Sequence, residues 1–311
     1  MMHVIPASVG SSLPVAAVGP SRPSPGHERL NPVDGAVMVW VPGTAEACPN
    51  GRFRMGSTQD EIDRVWEATG WADWRDRTTV EQPAHEVELD GFWLYKHEVT
   101  VGQYARFLAA TGYVRPAAEL WVALKDRVDL PMLFVAWDDA AAYCRWAEAV
   151  LPTEAQWEYA SRGPEERLFP WGNDWDRTLS NCADYHAGQD LSDAAAVKAW
   201  WDTVPQTAEA WVEHLRPVGS FAEGVSWCGT LDMAGNVWEW CGDWFDGAFY
   251  GRSEARDRNP ECRTRQSHDR VLRGGSWMFD ATRCRGANRN WYNPDERLDF
   301  GIRPAVSRPG P

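Results

Sequence analysis

The chain has 311 residues, enough for one large domain or two ordinary ones with a substantial core. Its net charge of −14 argues against nucleic-acid recognition, which needs clustered cations, and no apolar run reaches the length of a membrane span. Twenty tryptophans, each large and each carrying a ring N–H, point to a fold held by aromatic packing. The partners that suit such an acidic chain are a protein, a carbohydrate or a small-molecule ligand.

Residues 1–35 are rich in Pro, Ser, Gly and Val, and the first twenty carry no lysine or arginine. They read as a mobile leader without the basic start of a secretory signal, so a cytoplasmic location is expected. Folding is predicted to begin at residues 36–41, AVMVWV, whose alternation suits a strand. Thr58 and Glu61 form a capping box ahead of a helix carrying Ile62, Val65 and Trp66 on its apolar side. Residues 85–95 read as strands, with Val87, Leu89, Phe92, Trp93 and Leu94 as the apolar positions. A helix follows over residues 100–110, with Tyr104, Phe107 and Leu108 on one face and Gly112 as its stop. The next helix starts after Asp138 and turns Ala140, Cys144 and Ala147 inward. Another begins at Thr153, where Gln156 completes a capping box; Trp157 and Ala160 face the core and Gly163 ends it.

Beyond residue 169 the helical period fades. Residues 183–215 look like an insertion in which an Ala/Trp-rich, helical run alternates with polar turns, and residues 237–245 read as a strand. No repeat of fixed period is present, which removes solenoids and propellers. Few long helices and many short strands give an irregular α+β unit, taken as a single domain over residues 36–311.

Cysteines stand at 48, 144, 182, 228, 241, 262 and 284, an odd number with no CxxC. That spacing excludes a zinc ribbon or thioredoxin-like motif and leaves a reduced pool, or one or two bridges, open. Residues 232–239, DMAGNVWE, bracket a glycine turn with two carboxylates, an arrangement that can offer several oxygens to a hard cation. Along the strand that follows, Trp238 and Trp240 share one face and Glu239 takes the other. The closing stretch, residues 273–303, mixes aromatic, acidic and aliphatic side chains without helical or strand period, as a binding surface does.

Seven blocks now stand in order: RMGS near 54, HEVTVGQYARFLAATGY from 97, VAWDDAAAYCRWA from 135, LPTEAQWEYASRG from 151, FPWGNDW from 169, LDMAGNVWEWCGDWF from 231, and the closing RGGSW…ANRN…NPD…GIR. Together they resemble the formylglycine-generating-enzyme (sulfatase-modifying factor) family over roughly residues 36–305. The resemblance implies a C-type-lectin-like α+β fold with little regular secondary structure. It also implies a structural Ca2+ held through Asp232, Gly235, Val237 and Glu239, and a second calcium site starting at Asn181 with the Cys182 carbonyl.

Enzymes of that family hold copper(I) between two cysteines of the closing segment. Two soft thiolates suit copper(I), and one does not make that site. Counting forward from Gly275-Ser276, the first position is Phe279 and the second Cys284. Counting back from Ala287-Asn288-Arg289, the loop is about three residues short and Cys284 is not the second cysteine. Either count leaves at most one thiol, so no copper and no formylglycine chemistry is expected. Related sulfoxide synthases draw three histidines from an accompanying helical bundle; the histidines here (3, 27, 85, 97, 186, 214, 268) are scattered, and His97 reads as a capping or packing residue.

The closing segment also resembles the variable region of proteins diversified by retroelements, where a lectin-like scaffold stays fixed and template asparagine codons are randomised. Asn288, Asn290 and Asn293 fit that pattern. The expected framework is Arg273–Trp277, Cys284, Arg285, Ala287, Arg289, Asn293–Asp295, Arg297, Gly301 and Arg303. The expected ligand-binding positions are Met278, Phe279, Asp280, Arg283, Asn290, Trp291, Tyr292, Glu296, Leu298, Asp299 and Phe300, within a variable-looking loop over 277–300. The resulting expectation is a non-catalytic ligand-binding protein. A divergent enzyme of the same superfamily, using a metal-dependent oxidation, is the alternative, and a structural subunit of an assembly is a third reading.

Overall fold

The computed structural model describes residues 23–69, 78–114 and 118–307. In chain order its elements are β1 (Glu28–Leu30), β2 (Val37–Val41), α1 (Thr44–Ala47), β3 (Phe53–Met55), α2 (Gln59–Thr69), β4 (His85–Val87) and β5 (Phe92–Tyr95). Next come α3 (Val101–Thr111), α4 (Ala118–Leu124), α5 (Trp137–Trp146), α6 (Glu154–Arg162), α7 (Ala183–Ala187), α8 (Ala194–Trp201) and α9 (Ala208–His214). The chain ends with β6 (Trp238–Trp244), β7 (Arg270–Arg273), β8 (Asn290–Tyr292), β9 (Phe300–Gly301) and β10 (Ala305–Ser307), and 3-10 turns fill several links.

Helix ends follow the capping chemistry written in the sequence. Thr100 accepts from the Gln103 backbone N–H while the Gln103 side chain accepts from Thr100, and Thr153 and Gln156 repeat the exchange at α6. Gly112 closes α3 at φ +66°, a conformation that costs a glycine little. α5 starts one residue before Asp138, because Asp139 reaches back to accept from the Ala136 N–H.

Three sheets carry the strands, in the orders β1-β2-β5-β10, β3-β4 and β8-β7-β6-β9; all pairs are antiparallel except β6 with β9. Two large cores flank them. One gathers Trp40, Trp93, Tyr104, Tyr143, Trp238, Trp240 and Trp277, and the other Phe53, Trp157, Tyr159, Met233 and Tyr250. All seven cysteines are buried and none forms a disulfide.

The leader ends earlier than its composition implies. Residues 1–22 lie outside the described residues, but 23–35 are part of the fold. β1 pairs with β2, Asn31 donates to the Tyr95 hydroxyl at 2.8 Å and to the Ala147 carbonyl at 2.9 Å, and Asp34 accepts from the hydroxyls of Tyr95 and Tyr143. Buried polar anchors of this kind leave no hydrophobic period, so the expected boundary at 36 is corrected.

Candidate functional site

Between β7 and β10 the closing segment has only two short strands, and arginines hold the rest. Arg273 is fully buried and donates to the carbonyls of Gly286, Ala287 and Asn288 at 2.8–3.1 Å, and to Glu158 of α6. Arg285 grips Glu81 through two bonds of 2.9 and 2.7 Å, and Arg289 grips Glu154 of α6 at 2.7 and 2.8 Å. Arg303 reaches Glu239 of β6 at 2.7–3.0 Å and the carbonyls of Tyr95, Lys96 and Leu231. Planar guanidinium forks meet carboxylates in matching geometry, which satisfies both partners in a dry interior. Burial opposes ionisation of Glu154, yet Arg289 and Arg273 outweigh it and hold that carboxyl below its ordinary value. The expected framework arginines are thus structural clamps. Of their glutamates the sequence singles out only Glu239, and for another role; the available signal for Glu154 and Glu158 is their spacing of four, around the inward Trp157.

Helices α7–α9 of the insertion pack over the start of this segment. The Ala183 N–H donates to the Phe279 carbonyl at 2.8 Å. Trp277, fully buried, stacks on His214 with ring centroids 4.6 Å apart. Trp200, Trp201, Trp211 and His186 stand 5.8–6.3 Å from it. Its ring N–H has no hydrogen-bond partner among the described residues. Beside this aromatic cluster lies a cavity of about 380 Å³, with Ala194, Val197, Lys198 and Trp201 from α8 on one wall and Met278, Phe279, Asp280 and Arg283 from the closing segment on the other. Its surface is apolar except at the charged groups. Sequence reading gave the second wall and missed the first, because the insertion shares no block with the resemblance.

The structure divides the expected ligand-binding residues. Met278 and Phe279 are half-buried at the cavity, and Phe279 meets Trp238 edge-on at 5.5 Å. Asp280 and Arg283 are buried but still line it. Asn290, Trp291 and Tyr292 form β8, the outer strand of its sheet, where Tyr292 is 40% exposed and therefore accessible. Glu296 is exposed and Leu298 packs against the first core. Two positions are corrected. Asp299 is buried and accepts from the Ser276 hydroxyl, and Phe300 is buried in β9 against Trp240 at 5.0 Å, so neither can be presented to a partner.

Trp291 is also less free than expected, because it stacks on Phe245 with ring centroids 4.0 Å apart. Trp291→Ala is accordingly expected to cost about 2 kcal/mol and Tyr292→Ala under about 1 kcal/mol, to be read by thermal unfolding.

Neither count of the thiol positions yields a pair within the closing segment. Phe279 offers no donor. Cys284 is fully buried, clustered with Cys182 and Ala234. Burial, and after it the neighbouring Cys182, pushes the Cys284 thiol well above its ordinary value, while burial and Asp184 bring Cys182 up to about 12. Both stay protonated at neutral pH.

The residues expected to hold calcium are placed as follows. Gly235, at φ +83°, has the Asn181 carbonyl where a Cβ would sit, 2.2 Å away, so only glycine fits this turn. Asn181 donates to Asn236 and to the His214 carbonyl, and its own side-chain oxygen is buried without a partner among the described residues. Glu239, expected as a ligand, is instead engaged by Arg303 and by the Trp157 ring N–H at 2.6 Å. Val237 is buried in the first core.

Asp232 is buried, accepts from the Gly219 N–H at 2.6 Å, and lies beside Glu98, whose two carboxyl oxygens are buried and, among the described residues, receive no N–H from another residue. Burial brings Asp232 up to about 6; burial and then the charge of Asp232 push Glu98 up as well. Two adjacent buried carboxyls require a shared proton or a cation between them. Among the described residues no three His, Cys, Asp or Glu side chains converge on one metal position, so a cation at Glu98 and Asp232 would complete its shell with backbone carbonyls.

Comparison with known proteins agrees with this architecture. The family model for the sulfatase-modifying factor enzyme 1-like domain matches residues 33–308. The formylglycine-generating enzyme of Mus musculus is 30% identical over 305 residues, spanning 83% of this chain and 73% of that protein. Among solved structures, PvdO from Pseudomonas aeruginosa is similar with a TM-score of 0.66 at 23% identity, covering 92% of this chain and 99% of that one. Treponema denticola variable protein 1 is similar with a TM-score of 0.57 at 19% identity, covering 91% of this chain and 99% of that one. The α+β, C-type-lectin-like class expected for the fold holds. The chain belongs to the formylglycine-generating-enzyme (sulfatase-modifying factor) family.

Proposed function

We propose that this family member binds a ligand rather than oxidising one, and that the binding site is the cavity between α8 and the start of the closing segment together with the accessible residues of β8. One observation carries the reading: the closing segment holds a single thiol, and Phe279, where the forward count puts the first copper-binding cysteine, forms part of an apolar cavity wall. A benzyl ring there supplies contact area and excludes water but has no lone pair for a soft metal. The ligand this site suits has an apolar body that fits about 380 Å³, with polar groups to meet Lys198, Asp280 or Arg283.

The diversified-loop reading is the finer part of this proposal. Its physical support is a division of labour within residues 273–303. The clamps at Arg273, Arg285, Arg289 and Arg303 are buried and over-determined, whereas Met278, Phe279, Asn290, Tyr292 and Glu296 contribute less to the core. Substitution at the second set changes what is recognised without loosening the first. Sequencing this coding region from many natural isolates tests it. Changes concentrated at the accessible positions, with the clamps and their glutamates constant, are the expected result. Changes spread evenly over residues 273–303 would refute a diversified loop.

A structural calcium at Glu98 and Asp232 belongs to the same proposal, as the brace that neutralises two adjacent buried carboxylates. Calcium saturating at a hundred times its Kd is then expected to stabilise the protein by about 2.7 kcal/mol over chelator-treated protein, and Glu98→Gln to remove that gain. An unfolding midpoint indifferent to calcium would leave the shared proton as the correct account.

A second reading, a divergent metal-dependent oxidation, is favoured by one observation: Cys182 and Cys284 meet in one buried cluster beside the closing segment. Their raised thiol pKa values weigh against it, since a soft metal binds thiolates.

A further inference from the structure

Away from the closing-segment cavity, a second cavity of about 410 Å³ opens between α5 and the sheet of β6 and β7. Its character is set by Arg270. The guanidinium lies between two indole rings, 3.8 Å from the centre of Trp137 and 3.6 Å from that of Trp244. Among the described residues its guanidinium makes one hydrogen bond, from Nη1 to the Gly242 carbonyl at 2.6 Å, and its buried Nε has no partner. Among the described residues no carboxylate ion-pairs with it. Asp243, Asp138 and Glu261 attract it without pairing; Asp243 is committed to the backbone N–H groups of Glu154 and Cys262, and Glu261, which itself lines the cavity, is neutralised by Arg263 at 2.8 Å.

Arg145 and Arg263 line the same cavity, and Arg145 too makes no ion pair among the described residues. The contrast is with the buried arginines that build the scaffold. Arg162, Arg273, Arg285, Arg289 and Arg303 each meet a glutamate, and the chain as a whole carries a net charge of −14. A protein with acid to spare leaves two arginines unmatched around one cavity. The indole sandwich fixes the plane of Arg270, so its remaining N–H groups are pre-oriented and little rotamer entropy is lost on binding.

From this arrangement we infer that the cavity between α5 and β6–β7 is a binding site for a small organic oxyanion, held by Arg270 and Arg145, with its body against the tryptophan-lined wall. The shared chemistry is an oxyanion fork, which a carboxylate or a sulfate or phosphate ester supplies. This site is independent of the ligand proposed for the closing segment.

The test is titration of the full chain at low ionic strength with sodium sulfate, inorganic phosphate and sodium glucuronate, against sodium chloride of matched ionic strength. It is followed by tryptophan fluorescence and calorimetry, since Trp137 and Trp244 bracket the site. Saturable binding of at least one probe is expected, with glucuronate alone marking a carboxylate site and sulfate or phosphate marking an ester site. Arg270→Gln is expected to weaken it at least about tenfold and Arg145→Gln about fivefold. Arg145 is exposed, so its variant keeps the fold and decides the matter even where Arg270→Gln does not fold. A response no different from chloride, or binding untouched by Arg145→Gln, would overturn the inference.

Discussion

Arg289→Ala is expected to destabilise the protein by about 3–5 kcal/mol, lowering the unfolding midpoint by roughly 10 °C. Arg289 and Glu154 are both buried and joined by two bonds of 2.7 and 2.8 Å, and the arginine also reaches the Val80 carbonyl. Removing Arg289 leaves the buried Glu154 carboxylate without its two charge-assisted bonds and with Arg273 at 3.5 Å as its nearest cation, so much of the desolvation cost returns. The effect belongs to the stranded charge rather than to the worth of the pair. Arg289→Met combined with Glu154→Leu is therefore expected to recover most of the loss, because apolar groups of similar volume need no partner. A midpoint equally low in the double variant would show that packing, not charge, governs the clamp.

The second large effect is expected at Trp277. Trp277→Ala removes a fully buried indole that five rings of the insertion surround, at a cost of about 3–5 kcal/mol. Because those rings belong to helices α7–α9, the cavity left behind also loosens the cover over Phe279. Proteolytic cleavage within residues 183–215 is expected to speed up in this variant. Trp277→Phe makes the informative contrast. The indole N–H has no acceptor to lose, so phenylalanine forfeits area alone and is expected to cost about half as much. Equal costs for the two substitutions would mean that the ring stack does not hold the insertion in place.

Much of the scaffold was legible in the sequence for local physical reasons. The capping boxes at Thr100 and Thr153, the left-handed stop at Gly112 and the inward row of Ala140 and Cys144 in α5 with Ala147 at its C-terminal cap depend on residues a few positions apart. What stayed hidden depends on long-range polar pairing. Asn31 and Asp34 anchor the start of the fold through Tyr95, Tyr143 and the Ala147 backbone, and Glu81 meets Arg285 across 204 residues. No period announces such contacts, since a buried charged residue looks like a surface one until its partner is known.

The candidate site was half legible. Met278, Phe279, Asp280 and Arg283 are legible as members of the closing segment, but α8 as the opposing cavity wall is not, because an insertion carries no family block to align. Asp299 and Phe300 read in sequence as presented side chains, yet both are buried. A mixed acidic and aromatic pair suits a binding surface and a two-residue strand equally well in sequence, and only the pairing of β9 with β6 decides between them.

The most direct measurement is anaerobic titration of the reduced protein with copper(I) in the presence of a competing chelator, followed by incubation with oxygen and a cysteine-containing peptide. No stoichiometric copper(I) binding and no aldehyde in the peptide are the results expected of a chain with Phe279 in the cavity wall and protonated, buried thiols at Cys182 and Cys284. Tight uptake of one equivalent of copper(I), lost in Cys284→Ser, together with aldehyde formation, would contradict a non-catalytic binder and return the chain to the oxidising members of its family.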